Sequence, residues 1–344
     1  MKDEQWDLLL AVLSGEQLRP LPAGFIIDSP WLPNWGGHTI LDYFTSDRVW
    51  LKANLKALER FPTAWFLPGF WSEYGMCTEP SAFGAVSLWE EDEFPFAAKA
   101  LTSIEQVDAL ATPNPRKHGL LPFVIKRLVH HQADIERSGH RIRFAVARGP
   151  LNIASFLMGT TEFLTGLKTD PVRTHRLLGI ITDFLVDWIA YQREVFPSID
   201  GILTLDDIVG FISPADFREF GLPYLKRIYA ADVSVKFFHN DAPCKACAPH
   251  LAEAGINLLN FGVQHTLSEM QEWTGGEITL LGNVPPRDVL ASGSAEDVAR
   301  STRDMLGALK TKQRIIVSCG GGMPPGVCSE NIEALLNTTA EFSV

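Results

Sequence analysis

Short apolar runs alternate with longer amphipathic stretches along this chain, most regularly in its second half. The runs lie at residues 143–147, 201–205, 233–238, 256–261, 278–281 and 314–318, and β-branched and aromatic side chains are common in them. Runs this short that are apolar on both faces predict strands buried on both sides. The stretches between them have helical spacing and recognisable starts. Asp170-Pro171 opens a helix predicted over 170–196, and Ser213-Pro214 opens another over 215–230. Pro285-Pro286 precedes a further helix, residues 294–309 carry one more, and Ser329 begins the last, over 329–340. A capping residue followed by proline suits a first helical turn, where the missing N–H costs nothing. The first third is less regular, with strands expected at 24–27 and 64–67 and a helix over 41–59.

Strand and helix alternating at this spacing imply βαβ units and a parallel sheet. Six such units in one half favour a closed barrel over a doubly wound sheet, and no G-x-G-x-x-G follows an early strand. The expected fold is α/β, a (β/α)8 TIM barrel. No linker divides the sequence, so one domain is expected over residues 1–344.

The composition narrows the function classes. Hydrophobic residues make up 46% of the chain and charged residues 21%, enough apolar material for a large core. A formal net charge of −11 argues against a nucleic-acid binder, which needs a basic face. An anionic small substrate stays open, because a local pocket can oppose the global sign. The N-terminal segment lacks a signal-peptide core, and no apolar window is long enough to span a membrane. Five dispersed cysteines fit a reducing cytoplasm better than a disulfide framework.

In a barrel, catalysis belongs at the C-terminal ends of the strands. Asp206, Asp207, His239, Asn240, Asp241, Asn260, Asn283 and Cys319 fall there. His239 and Asp241 are two residues apart at one strand end and so point the same way. Cys319 is followed by Gly320, Gly321 and Gly322, where the backbone can approach a ligand closely. Imidazole, carboxylate and thiolate suit zinc with one position left open for chemistry. The same residues also read as a backbone-bonded histidine and an inert buried thiol. Cys244 and Cys247 form a C-x-x-C that reads either as a metal or redox pair or as packing at a helix start. Asp206 and Asp207 suit substrate or second-shell hydrogen bonding, or simple helix capping. Trp31, Trp35, Trp65, Phe66, Phe70, Trp71, Tyr74, Phe83 and Trp89 crowd the first third. They suit core packing or an apolar pocket for an uncharged substrate.

Several segments resemble the uroporphyrinogen decarboxylase superfamily. They are Gly149-Pro150-Leu151-Asn152-Ile153-Ala154-Ser155, then Ile212 through Phe220 with Leu222-Pro223-Tyr224, Leu281-Gly282-Asn283-Val284, and Cys319 through Gly326 continuing to Glu330-Asn331. The resemblance covers roughly residues 145–340, and the first 140 residues match it only loosely. It implies one of two chemistries. True decarboxylases hold the carboxylates of a tetrapyrrole with an arginine-rich N-terminal motif. The corresponding region here reads WFLPGFWSEY, and no Lys or Arg lies between Phe61 and Ala98. A G-H-G of the decarboxylases is replaced by Gly320-Gly321-Gly322.

The other branch holds zinc-dependent methyltransferases that serve corrinoid proteins, with an H-x-C and a later Cys as ligands. Carried over, that pattern implies zinc at His239, Asp241 (in place of the first Cys) and Cys319, with Glu79 or Asp207 as fourth ligand. It further implies catalytic roles for Asp206, Asp207 and Asn260, and cofactor contact at Gly320, Gly321 and Gly322. The implied partners are a corrinoid protein carrying methylcobalamin and a small-molecule methyl donor or acceptor. Tetrapyrrole decarboxylation is the alternative.

Overall fold

The computed structural model describes residues 1–27 and 30–342. Each apolar run forms a strand. β1 (Gly24–Ile26) and β2 (Trp65–Leu67) come early, and a hairpin of β3 (Ser87–Leu88) and β4 (Phe96–Ala97) follows. Then come β5 (Phe144–Arg148), β6 (Gly201–Leu205), β7 (Val235–Asn240), β8 (Leu258–Phe261), β9 (Thr279–Val284) and β10 (Ile315–Cys319). Strands β5 to β10 pair in parallel in sequence order, and β1 pairs in parallel with β2. Bridges from Ala23 to Val317 and from Ile26 to Gly322 join β1 to β10. The strand order is therefore β2-β1-β10-β9-β8-β7-β6-β5, the TIM barrel expected.

Among the described residues no ladder joins β2 to β5. Side chains occupy the free edge of β5 instead. Gln192 accepts the Val146 N–H and donates to the Val146 carbonyl, both at 3.0 Å, and Glu79 accepts the Arg148 N–H at 3.2 Å.

Two buried layers follow from the alternation of side chains along each strand. Ile26, Trp65, Leu67, Phe144, Val146, Leu203, Val235, Phe237, Leu258, Leu281 and Ile316 fill the barrel interior. The helix Asp3–Leu13 closes its N-terminal end through Trp6, whose ring meets Phe144 edge-on at 5.4 Å. Residues of opposite parity pack in a larger shell between strands and helices. This shell also takes up most of the aromatic residues of the first third.

Three helices depart from expectation. The stretch 41–59 is two helices, Ile40–Thr45 and Asp47–Arg60, because Ser46 is extended and caps the second by accepting the Val49 N–H. The stretch 215–230 is interrupted by a wide turn at Phe217–Gly221, just ahead of Pro223, which has no N–H to continue the ladder. The helix expected to open at Cys244 is absent. Pro243, Pro249 and Gly255 break that segment into turns with one short 3-10 turn at Ala248–His250. The hairpin β3–β4 was not foreseen.

Candidate functional site

His239 shares the inward parity of Val235 and Phe237, so its ring emerges at the barrel mouth while remaining buried. Asn260, paired with it in register on β8, accepts from His239 Nδ1 at 2.8 Å and donates from Nδ2 to the Leu281 carbonyl at 2.8 Å. The other ring nitrogen, Nε2, lies 3.5 Å from Asp241 Oδ2. Burial alone would lower the His239 pKa, but the charge and hydrogen bond of Asp241 raise it to about 9. Burial in turn pushes the Asp241 carboxyl up, and the His239 cation with Arg287 more than reverses this, so it lies below the usual range. In the ion-free protein the two form a charged pair at neutral pH.

The pair opens onto a cleft of about 510 Å³. Its walls include Ile26, Val263, Pro285, Met323 and Pro325, and Arg287 is the single Lys or Arg among the lining residues. Gly320 and Gly322 also line it, while Gly321, at φ 77°, lies so close against Asp241 that a Cβ there would collide with its carboxylate. None of the nine aromatic residues of the first third lines the cleft, so of their two readings core packing holds here and the apolar pocket does not. Most of them pack in the core.

Cys319 has the parity of Ile315 and Val317 and packs with the outer shell, its thiol directed to the Gly321 carbonyl at 3.5 Å. Among the described residues no three His, Cys, Asp or Glu side chains converge as an ion-holding group. The structure brings His239 and Asp241 together and does not bring Cys319 into their pair. Cys244 and Cys247 are fully buried in the outer shell, and the five cysteines form no disulfide.

Asp206 does not face the cleft. It is fully buried and accepts the Leu151 and Asn152 N–H groups at 2.9 and 3.0 Å, at the start of the helix Pro150–Met158. Burial pushes its carboxyl far above the usual range, even against those two hydrogen bonds. Asp207 accepts the backbone N–H of Asp241 at 2.7 Å. Glu79 is not a neighbour of the His239–Asp241 pair in any hydrogen bond or ion pair. It is buried against Arg148, which also pairs with Glu73 at 2.9 Å. Arg148 and Glu73 were missed in the sequence, and Glu79 was named only as a possible fourth zinc ligand. Their signal was an arginine closing an apolar strand run directly before Gly149-Pro150.

The family described as Uroporphyrinogen decarboxylase (URO-D) matches residues 5–342. A uroporphyrinogen decarboxylase of Thioalkalivibrio sulfidiphilus is 23% identical over 313 residues, 87% of this chain and 85% of its own length. That of Nocardia farcinica is 26% identical, over 58% of this chain and 57% of its own. Among solved structures, a methyltransferase from Methanosarcina mazei superposes with a TM-score of 0.82 at 20% identity, covering 98% of each chain. A B12-independent methionine synthase from a Shewanella species gives 0.58 at 14% identity, over 94% of this chain and 97% of that one. Both likenesses are of fold.

Proposed function

Because the chain belongs to the uroporphyrinogen decarboxylase family, we propose that it is a methyltransferase of that family, moving a methyl group between a protein-bound corrinoid and a small molecule held in the cleft. The observation that carries this reading is a His–Asp pair at the floor of a cleft whose lining holds a single Lys or Arg. A tetrapyrrole with eight carboxylates needs several cations to hold it, and Arg287 alone does not supply them. The names of the curated relatives favour the second reading, decarboxylation. The lining of this cleft speaks against it.

Zinc would find two donors here. His239 Nε2 and Asp241 Oδ2 would hold it, since 3.5 Å suits two donors on one ion at about 2.0–2.2 Å each. Cys319 as a third ligand requires its thiol to turn out of the outer shell. The bound ion supplies Lewis acidity that lowers the pKa of a thiol or polarises a substrate oxygen. The remaining roles fall to the chain itself. Asn260 fixes the His239 ring, Gly320 and Gly322 bring bare backbone to the cleft wall, and Met323 to Pro325 give that wall an apolar stretch. Arg287 is placed to hold an anionic group of the small molecule.

Metal content by mass spectrometry tests this on the purified chain and on His239→Ala, Asp241→Ala and Cys319→Ala. About one zinc per chain, lost in the first two variants, supports the reading. No metal and no uptake on titration, together with turnover of a tetrapyrrole, returns the chain to decarboxylation.

A further inference from the structure

We propose that Asn152 and Asp207 act as positioning residues, a latch that sets where Asp241 stands relative to His239. The inference rests on the metal-site reading above and adds to it the part of the chain that holds the site in place. Asn152 lies in the first turn of the helix Pro150–Met158 and is buried. Its side-chain oxygen accepts the N–H groups of Asp207 at 3.1 Å and Ile208 at 3.2 Å, and its Nδ2 donates to the Leu205 carbonyl at 3.2 Å. The backbone leaving β6 is thus wrapped around one carboxamide.

That wrapping delivers Asp207 to β7. Asp207 Oδ1 accepts the Asp241 N–H at 2.7 Å, the shortest of these bonds. Asp241 is the first residue beyond β7, and its side chain is half exposed at the mouth. Beside its contact with Gly321 and its attraction to His239 and Arg287, the anchor at its amide sets where its carboxylate stands. Asp206 completes the assembly from below by accepting the Asn152 and Leu151 N–H groups, and Gly149 leaves no room for a Cβ against that carboxylate. The Gly149-Pro150-Leu151-Asn152 segment therefore does more than start a helix. It carries the position of one strand end across to the next.

Asp207→Ala removes the acceptor, Asp207→Asn keeps an oxygen in its place, and Asn152→Ala releases the loop while leaving Asp207 intact. Two quantities separate positioning from general stability: Co2+ affinity, by competition with a chelator, and hydrogen exchange at the Asp241 amide. Asp207→Ala and Asn152→Ala should weaken Co2+ binding by about 10- to 100-fold, the range for lost outer-shell partners, and should expose the Asp241 amide. Asp207→Asn should restore both with the melting temperature unchanged. Wild-type Co2+ affinity in Asp207→Ala, or no rescue by Asp207→Asn, overturns the latch. If the wild-type protein takes up no Co2+, the metal reading falls on its own. The latch is then decided by the amide, and equal protection in Asp207→Ala and wild type overturns it.

Discussion

His239 and Asn260 fix one another. The Asn260 Nδ2 is committed to the Leu281 carbonyl, so its oxygen faces the ring, and Nδ1 carries a proton whether the ring is charged or neutral. Nε2 is thereby turned to Asp241 at the mouth. A histidine prepared in this way presents one defined nitrogen to whatever binds there, without rearranging.

This arrangement has a pH signature in the ion-free protein. With Asp241 beside it, His239 titrates at about 9, against about 6.5 for an unfolded histidine. A folded pKa above the unfolded one stabilises the protein fully below pH of about 6.5, and the benefit is lost as pH rises through about 9. In Asp241→Asn the His239 pKa should fall, because burial, which lowers it, is then opposed only by the Asp207 charge and the Asn260 hydrogen bond. The loss of stability over that window should shrink with it. Histidine NMR titration and urea unfolding at several pH values measure the two effects. An unmoved His239 pKa in Asp241→Asn would show that another group holds the proton.

Arg148 neutralises two buried carboxylates at the end of β5. Burial pushes the Glu79 carboxyl up, with Arg148 opposing it. Removing the cation takes the opposing charge away from two buried acids, so Arg148→Met should cost about 3–5 kcal/mol in urea unfolding. Replacing Arg148, Glu73 and Glu79 together by apolar residues of similar volume should cost clearly less. A single-variant loss below about 1 kcal/mol would mean that the glutamates find protons or other partners at no expense.

Gly321 combines a positive φ with direct contact to Asp241. Gly321→Ala therefore strains the backbone and displaces the carboxylate, at a cost of about 1–3 kcal/mol. The expected sign of displacement is a lower His239 pKa in the same NMR titration. Lost stability with an unchanged His239 would place the whole effect in the backbone.

The barrel was legible in the sequence because each interior strand is a short apolar run, and those runs lie within one to three residues of the observed strands. His239 and Asp241 were legible as a pair because strand periodicity puts residues two apart on one side. The same periodicity, applied from Ile316, sends Cys319 to the outer shell, whereas the ligand reading took it from its place at a strand end. Asp206 read either as a hydrogen-bonding group for the site or as a helix cap, and its carboxylate caps a helix start 55 residues upstream. The pairing of Arg148 with Glu73 and Glu79 was illegible for a different reason. Their pairing spans about seventy residues of chain, and only the folded barrel brings them together.

The β2–β5 seam gives the barrel an asymmetry of construction. Everywhere else closure is written in backbone pairing, which tolerates almost any side chain. Along this one line it is written in Gln192 and Glu79, whose amide and carboxylate stand in for the missing strand. Freedom to change sequence is therefore distributed unevenly around the ring. A residue on the outer helix Pro171–Val195 carries a constraint that elsewhere belongs to no particular amino acid. Glu79 ties that same line to the buried charge beneath the mouth, so the seam can be relaxed only by disturbing Arg148 as well.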